Sequence, residues 1–145
     1  MKTTTNLKYI EWRDTNGLHE DTLQALSDLE FLKDELQFLE DLVAEHTLEL
    51  IYGRPFEESR RIAEEITQHE KRLLILMENI NEHRNKLQIL MDEVDVPSEL
   101  KDYKNEHYKL MVESMDFHAD VKKTKRSIFK MLAETMKKSK QKRLL

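Results

Sequence analysis

The chain contains no cysteine. That excludes disulfides, thiolate metal sites and a cysteine nucleophile, and it accords with a reducing compartment. Glycine and proline occur only twice each in 145 residues, too few for the tight turns of a multi-stranded β protein. With glycine confined to Gly17 and Gly53 there is no phosphate-cradling loop of the Walker or dinucleotide type. Serines and threonines are scattered without a nucleophile elbow. Long apolar runs are missing too. The longest is Leu73-Leu74-Ile75-Leu76-Met77, far short of the roughly 20 residues a spanning helix needs, and the N-terminus lacks the apolar core of a signal peptide. The expectation is a cytoplasmic protein without a membrane span.

Charge is what the chain has in abundance, at 37% of residues, and it is unevenly placed. Up to Val121 there are 14 Lys and Arg against 28 Asp and Glu; from Lys122 onward there are 10 against one. Opposite signs at the two ends indicate either an anion-binding tail or internal complementarity.

Apolar residues at 18, 25, 29, 32, 36, 39, 43 and 50 step by threes and fours or their sums, which is one face of an α-helix. This predicts helix one over 18–52, with Asn16 as its N-cap and Gly53 closing it before an Arg54-Pro55 turn. Helix two, 56–95, carries an unbroken heptad seam: Ile62, Ile66, His69, Leu73, Leu76, Ile80, His83, Leu87, Leu90 and Val94. Pro97 and Ser98 stop it and cap helix three, 98–137, whose face runs through Leu100, Tyr103, His107, Leu110 or Met111, Ser114, Phe117 or His118, Val121, Ile128, Leu132 and Met136. Short connections between long helices predict an all-α fold in one domain: an elongated, antiparallel up-down-up three-helix bundle with coiled-coil-like packing, able to dimerise into a larger bundle. At about 1.5 Å per residue it forms a rod, a shape that favours binding or assembly over enclosed catalysis.

In that arrangement Glu40, Asp41, Glu45 and Glu49 lie beside Lys122, Lys123, Lys125, Arg126 and Lys130, so much of the charge asymmetry cancels internally. Residues 138–145 project beyond the bundle. Lys137, Lys138, Lys140, Lys142 and Arg143 form a basic tail whose plainer reading is a solvated helix end and which otherwise suits phosphates, acidic protein or anionic lipid, nucleic acid or the ribosome included, although no aromatic is present for base stacking.

Six histidines stand at 19, 46, 69, 83, 107 and 118. His69 and His83 fall in the helix-two seam, and His107 and His118 on the apolar face of helix three. Neither His-Glu-x-x-His nor a di-iron Glu-x-x-His pattern occurs, so no cofactor is indicated. Counting layers from the Pro97 turn sets His83 and His107 about one turn apart, ~5 Å, with Asp21 at their flank. Two imidazoles and a carboxylate can hold a metal or move a proton; the plainer reading is core histidines bonded to each other, to Ser114 or Thr22, or to a carboxylate. Either way, histidines in a seam predict loosening as pH falls. The methionines, Met77, Met91, Met111, Met115, Met131 and Met136 among them, read as adaptable core filler.

Helix one carries a second apolar stripe, Phe31, Phe38 and Leu42, on the side away from its leucine seam. A three-helix bundle uses one such face per helix. Two covers are open: the N-terminal segment 1–17, led by Trp12, folded back along helix one, or a second chain packed there. The leading expectation is a non-enzymatic helical interaction, adaptor or regulatory protein that binds itself or another helical protein, with no catalytic residue and no small-molecule substrate identified. Its rival is a bundle with a His/carboxylate metal or acid/base site.

Overall fold

The computed structural model describes residues 7–47, 56–92 and 97–144. Among these the protein is all-helical: a short 3-10 turn, Lys8–Trp12, precedes α1 (Thr15–Glu45), α2 (Phe56–Asp92) and α3 (Pro97–Leu144). The three long helices pack against one another, and the N-terminal turn packs on α3. Gly53, the Arg54-Pro55 turn, Val94 and Asp95 lie outside the described residues.

Helix boundaries follow from caps and breakers. Asp14, in extended conformation, accepts a hydrogen bond from the Gly17 backbone N–H at 2.7 Å. It takes the N-cap role expected of Asn16, which becomes the second helical residue, because the carboxylate satisfies a free amide and also meets the positive end of the helix. α3 begins at Pro97 itself, where the missing N–H costs nothing and φ is already helical. It runs on through the basic segment to Leu144 instead of ending near 137. Lysine, arginine, glutamine and leucine are good helix formers, and positive charge suits a helix C-terminus.

The leucine seam of α1 is buried at Leu18, Leu29, Leu32, Leu36 and Leu39, and the α2 heptad at Ile62, Ile66, Leu73, Leu76, Ile80 and Leu87. On α3 the ambiguous pairs resolve into burial of both Leu110 and Met111, and of Phe117 with His118 exposed. Phe117 has no accessible surface; His69 meets its ring edge-on at 6.0 Å and the Arg72 guanidinium lies 5.1 Å from its centroid. Two apolar clusters result. The larger includes Leu7, Ile10, Leu18, Leu36, Leu76 and Phe117; the smaller consists of Leu39, Ile62, Ile66, Ile128, Met131 and Leu132. Fully burying such side chains stabilises by about 1.5–3 kcal/mol each.

Polar residues interrupt these clusters, several of them in hydrogen-bonded groups. His69 Nε2–H donates to Thr124 Oγ1 (2.7 Å), and that hydroxyl donates to Glu65 (3.2 Å). Arg72 pairs with Asp120 at 2.7 Å. Between α1 and α3, Glu35 pairs with Lys125 at 2.6 Å, ahead of the expected Glu40, Asp41 and Glu45; Glu49 lies outside the described residues.

Three expected roles change. The N-terminal turn buries Leu7 and Ile10 and is tied down by Lys104 Nζ donating to the Glu11 carbonyl at 2.9 Å, while Trp12 is exposed. It covers α3, and Phe31 and Phe38 are left open. Leu42 leaves the second stripe: it is half-buried against the smaller cluster, because its position on α1 turns toward the neighbouring helix. Among the methionines, Met111 and Met131 are buried and Met77 packs partly on the core, but Met91, Met115 and Met136 are exposed and fill no core.

Candidate functional site

Two features have the makings of a site. The first is a hydrogen-bonded chain across the bundle. α1 supplies Asp21, α3 supplies His107 and α2 supplies His83, each from a position bordering or within the seam. His107 Nε2 lies 3.1 Å from Asp21 Oδ2, and His107 Nδ1 lies 2.8 Å from His83 Nε2. The imidazole centroids are 5.1 Å apart. The sequence reading that sets the two rings one turn apart with Asp21 at their flank is thereby met in space.

The direction of the protons follows from donors and acceptors. A carboxylate only accepts, so His107 carries its proton on Nε2 and leaves Nδ1 as a lone pair. His83 Nε2–H donates to that lone pair. His83 Nδ1 is then itself a bare lone pair, buried and without a hydrogen-bond partner. Burial holds His83 far below the ordinary imidazole value, to about 3, with His107 and Lys86 adding to the effect. His107 is lowered by burial as well, opposed by its hydrogen bond to Asp21. Both rings are therefore neutral at pH 7.

Flanking groups fix the chain in place. Tyr103 stacks on His83 with centroids 4.0 Å apart and planes within 6°, and its hydroxyl donates to the His83 carbonyl at 3.1 Å. Burial pushes the Tyr103 phenol well above its usual range. Arg13 meets the far oxygen of Asp21 at 3.3 Å and Glu20 at 3.8 Å. It reaches Asp21 by folding over Gly17, where a Cβ would stand 2.5 Å from Arg13 Nε; only glycine admits that approach without moving the guanidinium.

The His107 Nδ1 lone pair is taken up by the His83 N–H. Among the described residues no group of three His, Asp or Glu side chains surrounds a common point suited to a metal. The arrangement can carry a hydrogen-bond polarisation from Asp21 to His83 Nδ1, and a cavity of about 500 Å3 between α2 and α3 is bordered by His83, Tyr103, Lys86, Glu99, Asp102 and Glu106.

The second feature is an open apolar face. Phe31 is 69% exposed and Phe38 55%. Between them Glu35 pairs with Lys125 of α3, so this edge of α1 borders α3. There α3 presents a second seam at alternating fours and threes: Tyr108, Val112, Met115, Ala119, Lys122, Arg126, Phe129, Ala133 and Met136. Val112 packs partly on the core, and the remaining members are exposed. A cleft of about 370 Å3, bordered by Asp28, Leu32, Met115 and His118, lies between the two helices. Acidic Asp34 and Asp41 follow each phenylalanine by one helical turn, while Lys122 and Arg126 interrupt the α3 seam; all four are exposed.

Sequence reasoning missed Tyr103 and Arg13 as partners of the histidine chain, and it missed the second α3 seam, which the same three-and-four spacing would have revealed. Trp12 is brought to neither feature. Lys137, Lys138 and Lys140 are exposed on α3, and positions 142 and 143 continue the same helix. Comparison with protein-family models, with curated proteins and with solved structures finds no match for the chain.

Proposed function

We propose that the protein is a non-enzymatic helical interaction module that pairs with a second copy of itself through the α1–α3 face, its helices running up, down and up in one bundle. Residue pairing supports the running order. Along α1 and α3 both numbers rise together, from Asp21–His107 to Glu35–Lys125, whereas along α2 and α3 one rises as the other falls, from His69–Thr124 to His83–His107. The seven-residue period of the seams supports coiled-coil-like packing.

The observation that carries the pairing is the exposure of Phe31 and Phe38 on α1 and of Met115, Phe129 and Met136 on α3. Scattered apolar residues are ordinary on a surface; aromatic and methionine side chains aligned on one helical boundary are the composition of an interface. Charge selects the occupant. α1 carries exposed Asp34 and Asp41 one turn from the phenylalanines and α3 carries exposed Lys122 and Arg126, so the two helices offer opposite charges. A two-fold axis along the helices sets α1 of one copy against α3 of the other, acid against base; an axis across them sets like against like.

Sedimentation of the full chain tests the reading. The expected result is a dimer that dissociates on dilution, a monomer of unchanged helix content for Phe31→Ser/Phe38→Ser, and weakened pairing for Lys122→Glu/Arg126→Glu that Asp34→Lys/Asp41→Lys restores. A wild-type chain that stays monomeric at every concentration refutes it.

A further inference from the structure

The basic end of α3 is not neutralised within the bundle. Of its cations, Lys125 turns toward α1 and pairs with Glu35. Lys123, Arg126, Lys130, Lys137 and Lys140 are exposed, and none of them forms an ion pair among the described residues. Glu134 is the only acidic residue in 122–145. On the facing stretch of α2, Glu64 is taken up by Arg60 and Glu65 by the Thr124 hydroxyl. The internal cancellation expected from the sequence thus leaves these five cations over.

They are also in line. Lys123, Lys130 and Lys137 repeat at intervals of seven, and Arg126 and Lys140 each stand three residues beyond one of them. At about 3.6 residues per turn these positions share one side of α3, opposite the buried side that runs through Thr124, Ile128, Met131 and Thr135. From Lys123 to Lys140 the row covers about 25 Å along a straight helix. Its lysine and arginine stems reach outward and keep their charges in water.

The geometry of the row decides between polyanions. The backbones of a nucleic-acid duplex wind around a cylinder, so a straight row meets phosphate only where it crosses a strand. A single strand is held by base stacking on aromatic rings, and the row has none. A plane of lipid headgroups, by contrast, sets negative charge under all five cations at once, and each basic residue held at such a surface strengthens binding by about fivefold.

We infer that this side of α3 lies flat on an anionic lipid bilayer, with Lys123, Arg126, Lys130, Lys137 and Lys140 against the headgroup phosphates and no helix inserted. Arg126 and Lys140 border the α1–α3 pairing face, whereas Lys123, Lys130 and Lys137 stand off it, so the two proposals are probed by different variants.

The test is sedimentation of the full chain with phosphatidylcholine vesicles, prepared with and without phosphatidylserine, at low salt. The expected result is binding only where phosphatidylserine is present, reversed by added salt. Lys123→Gln/Lys130→Gln/Lys137→Gln, made at exposed positions, is expected to keep the helix content and self-pairing of the wild type while losing at least roughly tenfold in vesicle affinity. Phe31→Ser/Phe38→Ser is expected still to bind the vesicles, which separates failure of pairing from failure of the lipid contact. Absence of binding to phosphatidylserine vesicles, equal binding without phosphatidylserine, a loss below about tenfold in the triple variant, or tighter binding to duplex DNA or single-stranded RNA at the same salt each overturns the inference.

Discussion

His83 Nε2 and His107 Nδ1 face each other at 2.8 Å inside the bundle, a spacing that accommodates one shared proton and not two. The pair is thus a neutral unit anchored at Asp21, and its electrostatics set how the fold answers acid.

Stability is expected to fall as pH drops below the unfolded imidazole value of about 6.5. His83, His107 and His69 all have folded pKa values lowered, chiefly by burial. Asp21 and Arg13 act on His107, Lys86 on His83, and Glu65, Asp120 and Arg72 on His69. A base whose folded pKa is depressed binds its proton more readily when unfolded, so its stabilisation is complete above about pH 6.5 and is lost as pH falls toward the folded value, about 3 for His83. Each proton taken up only by the unfolded chain contributes a slope of about 1.4 kcal/mol per pH unit. Urea unfolding followed by circular dichroism between pH 5 and 8 measures it; equal stability across that interval would contradict the neutral histidine pair.

Glu40→Lys is expected to stabilise the protein at pH 7. Glu40 of α1 lies against Glu70 of α2, and burial together with this like-charged neighbour raises the Glu70 pKa. Relief of a partly exposed repulsion amounts to about 0.2–1 kcal/mol. A raised carboxyl pKa means the repulsion is felt only when Glu70 is ionised, so the gain should vanish on acidification. Thermal melts at pH 7 and pH 4 compare the two cases, and no gain at pH 7 would show that the carboxylates do not interact.

Within the N-terminal turn, Ile10→Ala and Trp12→Ala should behave oppositely. Ile10 is 3% exposed in the larger core cluster, whereas Trp12 is 76% exposed. Truncating the first is expected to cost about 2–3 kcal/mol, and the second should stay within about 0.5 kcal/mol of wild type. Chemical denaturation provides the numbers; equal costs would mean the turn does not dock through Ile10.

What could be read in advance was governed by period. The unbroken spacing from Ile62 to Leu87 identifies the buried edge of α2, and layer counting from Pro97 places His83 beside His107 because both helices rise by a fixed amount per residue. Features decided by azimuth or by one hydrogen bond escaped. Leu42 and Phe38 are both apolar and four residues apart, yet one packs and the other does not, a distinction set by where α3 lies around α1. Asp14 displaced Asn16 as cap because both residue types cap well and only the path of the chain decides. The histidine chain was legible as proximity; its proton order depended on Asp21 Oδ2 meeting Nε2, which spacing does not encode.

The contacts of α3 also govern the order of assembly. Asp21 and His107 are 86 residues apart, and Glu11 and Lys104 are 93 apart, so these bonds close long loops and are expected late in folding. Before α3 docks, the first two helices hold His83 with no ring to stack on and Leu7 and Ile10 with no helix to cover them. The helix made after the other two of this bundle is the one that locks Leu7 and Ile10 in place.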